Sequence, residues 1–166
     1  MPTASAVTSL TLDDQLVPAG AAATSFARLW RSLWSQPYLT PELLELCRLT
    51  LARLHRDQAE LEAANPFVPA AAAAARRAAV RAGDAYKSDR FTAAEKALLE
   101  FTESYALDAQ SISDAQAARV RDTLGEPGLV FLIEALGCLD GRIRTARCLR
   151  DLTAGSAFSK EAASVD

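Results

Sequence analysis

The chain contains a single histidine, His55, and only three widely separated cysteines among its 166 residues. Protein metal sites use several histidine, cysteine or carboxylate ligands at recognised short spacings, which this sequence lacks, so we predict no bound metal. A glycine-rich phosphate loop, a serine nucleophile elbow and a dinucleotide fingerprint are also missing, so no cofactor is predicted. Because the cysteines are odd in number and far apart, we expect buried, reduced thiols and no disulfide framework.

The sequence has only a small excess of charge of one sign, and it has no long apolar run. The formal net charge is -3, which provides no basic surface for nucleic acid. There is no run of about 18 apolar residues and no basic N-terminal region followed by an apolar stretch. We therefore expect neither a membrane span nor a signal peptide, and we expect a cytoplasmic protein. One local basic cluster is predicted to form a solvated or interface face: Arg142, Arg144, Arg147 and Arg150.

The sequence does contain a succession of amphipathic segments, and half of its residues are apolar. Apolar residues recur at helical spacing and show no lasting alternation of strand type, which predicts an all-α fold. One apolar stripe, which includes Trp30 and Trp34, is expected to enter the core or a subunit interface. Helix starts are marked by capping signals at three places: Thr40-Pro41, Thr92 with Glu95, and Ser113 with Gln116.

The length suits one domain with a modest core. We divide the chain into a partly irregular lead-in (1–24), a helical domain (25–152) and a flexible tail (153–166). The helix after Thr40 is apolar round much of its circumference and is expected to lie deep. A short helix is expected to end near Gly125, and Pro127 to open a long apolar helix after it.

Three groups of segments carry a family resemblance: LTPELLEL (39–46) with LARL (51–54), FTAAEKALLEF (91–101), and DGRIR (140–144). Their order and spacing resemble the alkylhydroperoxidase D and carboxymuconolactone decarboxylase superfamily. The resemblance covers about residues 25–150. It implies an alkylhydroperoxidase D-like helical bundle that forms a homo-oligomer, a trimer or a hexamer.

The family's redox motif is absent. Where peroxidatic members carry Cys-x-x-Cys-x-x-x-His, this chain has Asp57, Glu60 and Ala64 at the three motif positions, although Glu45 matches the glutamate twelve residues earlier. Thiol peroxidase chemistry requires an activated thiolate and a second cysteine that resolves the sulfenic acid. Carboxylates perform neither step. Cys47 and Cys138 lie on apolar helix faces, where raised pKa values and inertness are expected.

Asp57 and Glu60 have two interpretations. If the chain bends near His55-Arg56, Asp57 caps the next helix and Glu60 closes a capping box. Alternatively, Glu45, His55, Asp57 and Glu60 form an acid–base cluster in the pocket that the thiols have vacated.

Arg48, Glu134 and Arg144 are the candidate substrate-binding residues. Glu134 interrupts an apolar helix, so a buried position requires a cation, such as Arg48 or an arginine of the 142–150 cluster, or protonation. The alternative is that Glu134 faces solvent or a subunit boundary. Asp140 and Arg144 are spaced for a helix-surface ion pair. The resemblance adds an interface or site-supporting role for that pair.

Three functions are compatible with these patterns. The preferred one is a non-thiol acid–base enzyme, a lyase, decarboxylase or isomerase, acting on a small organic acid or lactone whose carboxylate an arginine holds. The second is a non-catalytic, oligomeric binding or regulatory scaffold. The third is a thiol-dependent, peroxidase-like antioxidant protein that uses Cys47 or Cys138 with an external thiol.

Overall fold

The computed structural model describes residues 6–69 and 74–162, with side chains as far as Thr153 in the last helix. Within these ranges every regular element is helical, which confirms the all-α prediction. The helices are α1 (Asp13–Leu16), α2 (Ala21–Leu33), α3 (Pro41–Leu54), α4 (Gln58–Glu62), α5 (Ala74–Ala82), α6 (Ala93–Asp108) and α7 (Asp114–Ala162). The predicted tail is helical as far as Ala162, and residues 163–166 lie outside the described ranges. No helix in those ranges is long and apolar enough to cross a membrane.

The predicted capping signals begin three of these helices. At α3, Thr40 Oγ1 accepts the backbone N–H of Leu43 at 3.3 Å, and Pro41 is the first helical residue. At α6, the Thr92 and Glu95 side chains each accept the other's backbone N–H, a complete capping box. At α7, Ser113 and Gln116 form the same reciprocal pair at 3.3 and 3.0 Å. These contacts satisfy backbone donors that a helix start leaves free.

A bend at Gly125 divides α7 into two helical segments, 114–124 and 126–162. Gly125 has φ 73° and ψ 170°, outside helical geometry and in a region where a side chain is strained. Pro127 lies in the first turn of the second segment, where its missing N–H costs no helical hydrogen bond. The predicted end of the short helix near Gly125 and the predicted start of the next helix at Pro127 are therefore both confirmed.

Helix α3 is the centre of the bundle. Every residue from Leu44 to Ala52 is buried, and α4, α5, α6 and α7 all pack against this helix. From α2, Trp30 and Trp34 enter the same core, and Trp34 stacks on Phe67 with ring centroids 5.1 Å apart. The apolar stripe of α2 therefore packs into the core, one of its two predicted destinations. Burying such aromatic and aliphatic surface is the main source of stability in a domain of this size.

A short segment that ends at the first residue of α1 crosses α4 and α7. We call residues 7–13 the strap. Thr8, Ser9 and Leu12 of the strap are buried, and its polar groups bond to side chains of α4 and α7. The strap is the part of the predicted lead-in that contacts the region of the candidate site residues.

Candidate functional site

Arg48 joins two of the predicted catalytic carboxylates. Glu45 and Arg48 lie one turn apart on α3, and the guanidinium forms two hydrogen bonds to Glu45, at 2.8 and 2.9 Å. A third bond, from Arg48 Nη1 to Glu60 Oε2 of α4, measures 2.8 Å. All three side chains are at most 1% exposed. The paired carboxylates therefore share one buried cation.

Neutral donors complete this buried cluster. Asn65 Nδ2 donates to Glu45 Oε2 at 2.6 Å, while the backbone N–H and the Oγ of Ser9 both donate to Glu60. Burial lowers the pKa of Arg48, but the hydrogen bonds and charges of Glu45 and Glu60 outweigh that effect and raise it. A buried ion network is stable only when its members are satisfied in this way. In this conformation neither carboxylate is open to a solute.

Asp57 caps α4, as the capping interpretation predicts. The chain bends at Arg56, which has φ 53°, and Asp57 Oδ1 then accepts the N–H of Glu60 at 3.2 Å. Asp57 Oδ2 pairs with Arg150 of α7. The predicted capping box is wrong in its second half, because the Asp57 N–H bonds to Ala52 O at 2.9 Å. The Glu60 carboxylate does not accept this N–H, because it forms charge-assisted hydrogen bonds within the buried cluster.

His55 lies outside the buried cluster. His55 directly follows α3 and places its Nε2 2.5 Å from Asp140 Oδ1 of α7, and both side chains are 18% exposed. Asp140 Oδ2 accepts a hydrogen bond from Arg144 Nε at 2.6 Å, which confirms the predicted helix-surface pair. Arg147 Nη1 donates to the His55 carbonyl at 2.9 Å. The four predicted catalytic side chains thus have three different settings: Glu45 and Glu60 share the buried Arg48, Asp57 caps α4, and His55 pairs with Asp140.

A groove of about 510 Å³ lies beside His55. It is lined by His55, Ile143, Arg144, Arg147, Cys148, Asp151 and Leu152. Arg147 was predicted only as part of the basic cluster and Asp151 carried no prediction, although both follow Arg144 at the spacing of one helix face. Among the described residues, no group of three or more His, Cys, Asp or Glu side chains is placed to hold a metal ion.

The basic cluster of α7 is divided between core and surface. Arg142 is fully buried: its Nε donates to Ser9 O at 2.9 Å, and its Nη2 lies 2.8 Å from Asp13 Oδ1, an ion pair without the alignment of a hydrogen bond. Burial lowers the pKa of Arg142, while Asp13 acts in the opposite direction. Arg150 pairs with Asp57. The predicted solvated or interface face is therefore wrong for Arg142, which is fully buried, while Arg150 is partly exposed.

Glu134 faces solvent. It lines a separate groove of about 540 Å³ with Tyr38, Val130 and Phe131, among others. The buried alternative is wrong, because the rotation of α7 places Glu134 on its exposed edge. Arg48 pairs instead with Glu45 and Glu60.

The three thiols fall into two classes. Burial raises the pKa of Cys47 to about 12 and that of Cys138 to about 11, as expected for inert core thiols. Cys148 is exposed, so the prediction of three buried thiols is wrong at this position. All three cysteines are free.

Comparisons with known proteins add no further constraint on the site. No family model, no curated protein and no solved structure matches the chain. The function is therefore inferred from the contacts of the described residues, and membership of the resembled family remains a proposal.

Proposed function

We propose that this protein is a non-thiol acid–base enzyme of lyase, decarboxylase or isomerase type that acts on a small organic acid or lactone. The proposal includes an alkylhydroperoxidase D-like or carboxymuconolactone decarboxylase-like bundle and a location in the cytoplasm. The observation that carries the reaction class is the 2.5 Å contact between His55 Nε2 and Asp140 Oδ1 beside the groove. A histidine oriented by a carboxylate is a common arrangement for proton transfer.

His55 is the proposed proton-transfer residue. When Nε2–H donates to Asp140, the neutral imidazole keeps its lone pair on Nδ1, which then acts as the base. Asp140 holds the ring orientation and stabilises the imidazolium that forms. Arg147 fixes the His55 backbone from the other side through its 2.9 Å hydrogen bond to the carbonyl. This arrangement requires neither a thiolate nor a bound cofactor.

Two arginines provide the proposed carboxylate site. Arg144 and Arg147 line the groove and are 61% and 52% exposed, so their guanidinium groups are accessible to a solute. A guanidinium binds a carboxylate through paired, charge-assisted hydrogen bonds. Ile143 and Leu152 supply apolar surface for a short carbon skeleton. In this proposal Glu45, Asp57 and Glu60 are positioning residues that fix the α3–α4 corner next to His55.

The second candidate is a non-catalytic, oligomeric binding or regulatory scaffold, assembled as a trimer or hexamer. Its supporting observation is the apolar surface that α7 exposes near Tyr38: Val130 is 60% and Ile133 is 44% exposed. Surface of this kind marks many protein–protein contacts. The buried, fully bonded state of Glu45 and Glu60 also favours a structural use of the former motif positions.

A ligand screen followed by a turnover assay tests the proposal. Small carboxylic acids and lactones are screened for stabilisation of the wild-type chain, since a ligand that binds the native state raises the midpoint of unfolding. Each stabilising compound is then incubated with protein, and its conversion is followed by proton NMR. We expect conversion by wild type, a loss of about 100-fold or more in His55→Gln, and weakened binding in Arg147→Met.

Arg121→Met is the matched control, because Arg121 is an exposed arginine on the other segment of α7. It should change neither binding nor turnover. A compound that binds wild type and Arg121→Met but is not converted would favour the scaffold. Stabilisation that Arg147→Met and His55→Gln leave unchanged would place the ligand elsewhere and remove the groove as the site.

A further inference from the structure

Ser9 of the strap is held between an acid and a base from two different helices. Its backbone N–H and its Oγ both donate to the Glu60 carboxylate, the Oγ bond measuring 2.7 Å. Its carbonyl accepts from Arg142 Nε at 2.9 Å. Ser9, Glu60 and Arg142 are all fully buried. Every polar group of Ser9 is therefore bound by a charged side chain of the bundle.

The same mode of binding extends along the strap. Arg150 Nη1 donates to the Val7 carbonyl. Leu12 inserts a fully buried apolar side chain, and the Asp13 carboxylate lies 2.8 Å from Arg142 Nη2. The bundle thus contacts two backbone carbonyls, one seryl N–H and hydroxyl, one leucine and one aspartate. This is the contact pattern of a bound peptide, in which main-chain bonds give affinity and side-chain pockets give specificity.

The groups that bind the strap are also positioned by other parts of the molecule. Glu60 is held by Arg48 at 2.8 Å, and the Arg142 guanidinium stacks over Trp30 of α2 at 4.4 Å. Arg150 pairs with Asp57. Each group keeps a partner outside the strap, so the binding surface does not depend on the strap for its shape. A preorganised surface of this kind binds its ligand without an ordering cost of its own.

The connection after the strap is open to solvent. Residues 17–20, between α1 and α2, are all exposed, and Gly20 has φ 63° and ψ -131°, a conformation that favours glycine. A groove of about 580 Å³ runs between the strap and α4, lined by Thr8, Thr11, Ala59 and Glu62 among others. No buried residue of the connection has to move when the strap leaves its site.

We propose that Glu60, Arg142 and Arg150 form a peptide-recognition site that the chain's own strap occupies as an intramolecular ligand. The site takes a segment folded as a turn, in which serine is followed by leucine three residues later and by aspartate four residues later, as in Ser9, Leu12 and Asp13. Within the strap, the Thr11 N–H closes this turn on the Thr8 carbonyl at 3.0 Å. The strap excludes any other segment of this chemistry until it is displaced. This site shares no lining residue with the groove of His55, so either proposal can be disproved while the other still holds.

A labelled peptide tests the site on the full chain. The peptide has the sequence of residues 6–16, with blocked ends and a fluorophore, and its binding is followed by anisotropy. Ser9→Ala in the chain removes the seryl hydroxyl bond to Glu60 and weakens the intramolecular strap. We therefore expect the wild-type peptide to bind the Ser9→Ala chain at least tenfold more tightly than the wild-type chain. The peptide carrying Ser9→Ala should bind the Ser9→Ala chain at least tenfold more weakly than the wild-type peptide does.

A peptide carrying Gln15→Ala is the matched control, since Gln15 is exposed in the same segment. It should bind as the wild-type peptide does. Equal binding of the wild-type and Ser9→Ala peptides, or absence of peptide binding to the Ser9→Ala chain, would overturn the proposal.

A second measurement applies if the Ser9→Ala chain does not fold. A protease site is placed at residues 17–20 of the otherwise wild-type chain, and the chain is cut after folding. The strap fragment should remain bound on gel filtration, and the labelled wild-type peptide should displace it while the Ser9→Ala peptide does not. Immediate loss of the fragment, or displacement by both peptides alike, would also overturn the proposal.

Discussion

Arg48 Nη1 and Glu60 Oε2 are 2.8 Å apart at a place where neither side chain exposes any surface. The two residues belong to α3 and α4, so their contact fixes the corner at which one helix ends and the next begins. Because Arg48 also binds Glu45, one guanidinium compensates two buried carboxylates. A single substitution here leaves uncompensated charge, which is far more costly in the interior than at the surface.

Arg48→Met should therefore destabilise the fold strongly. Methionine keeps much of the volume but leaves Glu45 and Glu60 without their shared cation, and breaking a buried pair typically costs about 3–5 kcal/mol. Urea unfolding followed by circular dichroism gives the free energy of unfolding for both proteins. The exposed Arg121→Met should change it by less than about 0.5 kcal/mol. A loss below about 1 kcal/mol in Arg48→Met would show that the carboxylates find other compensation.

Asp57 should contribute to the stability of the fold through two separable interactions. Asp57→Ala removes both the cap of α4 and the ion pair with Arg150, and loss of the cap alone costs about 1 kcal/mol. Asp57→Asn keeps a capping oxygen but removes the charge, so its free energy of unfolding should lie between those of wild type and Asp57→Ala. Thr92→Ala, which removes a cap from α6 without breaking an ion pair of its own, should cost about 1 kcal/mol. If Asp57→Asn and Asp57→Ala lower the free energy of unfolding equally, only the charge of Asp57 contributes to stability.

The helix boundaries were predictable because their causes are local. Thr40, Thr92 and Ser113 each cap a helix through residues three positions away, and Gly125 provides its own backbone freedom. The depth of α3 followed from its continuous apolar surface for the same reason. Such signals lie within a few residues of the feature that they determine.

The partners of the charged residues were not predictable, because they depend on which helix faces meet. His55 contacts Asp140, 85 residues further along the chain, and Ser9 contacts Glu60 across 51 residues. The apolar neighbours of Glu134 left a buried and a solvent-facing position both open, and only the rotation of α7 shows that this side chain faces solvent. Arg142, two residues before exposed Arg144, is fully buried for the same geometric reason.

Thiol reactivity should separate Cys148 from the two core cysteines. Cys148 is exposed, whereas burial holds Cys47 and Cys138 in the protonated form with raised pKa values. Because the thiolate is the reactive species, a disulfide reagent at pH 8 should label one thiol rapidly in native protein and all three after unfolding. Cys148→Ser should abolish the rapid phase, and Cys138→Ser should leave it unchanged.

Peroxide consumption provides the related functional measurement. With a thiol reductant present, wild type and a variant with all three cysteines changed to serine should consume peroxide at the same background rate. The motif that supplies an attacking and a resolving cysteine is absent. A rate that wild type shows and the triple variant lacks would restore the antioxidant function as a candidate, with Cys148 as the first thiol to test.

Cys47 should make the fold less stable at high pH. Its pKa is about 12 in the folded chain against 9.0 for an unburied thiol, so the folded state retains a proton that the unfolded state has lost. A raised folded-state pKa gives stability that is complete below pH 9 and declines as pH rises toward 12. At pH 10.5 the loss amounts to about 2 kcal/mol, from about 1.4 kcal/mol for each pH unit above 9. Cys47→Ala creates a small cavity, whose cost does not depend on pH, but the free energy of unfolding of this variant should fall less steeply between pH 9 and 10.5. Cys148→Ala is the control and should keep the wild-type slope, because Cys148 is exposed and its replacement leaves the buried Cys47 thiol in place. Parallel curves for wild type and Cys47→Ala in urea titrations across this range would contradict the buried, protonated state of Cys47.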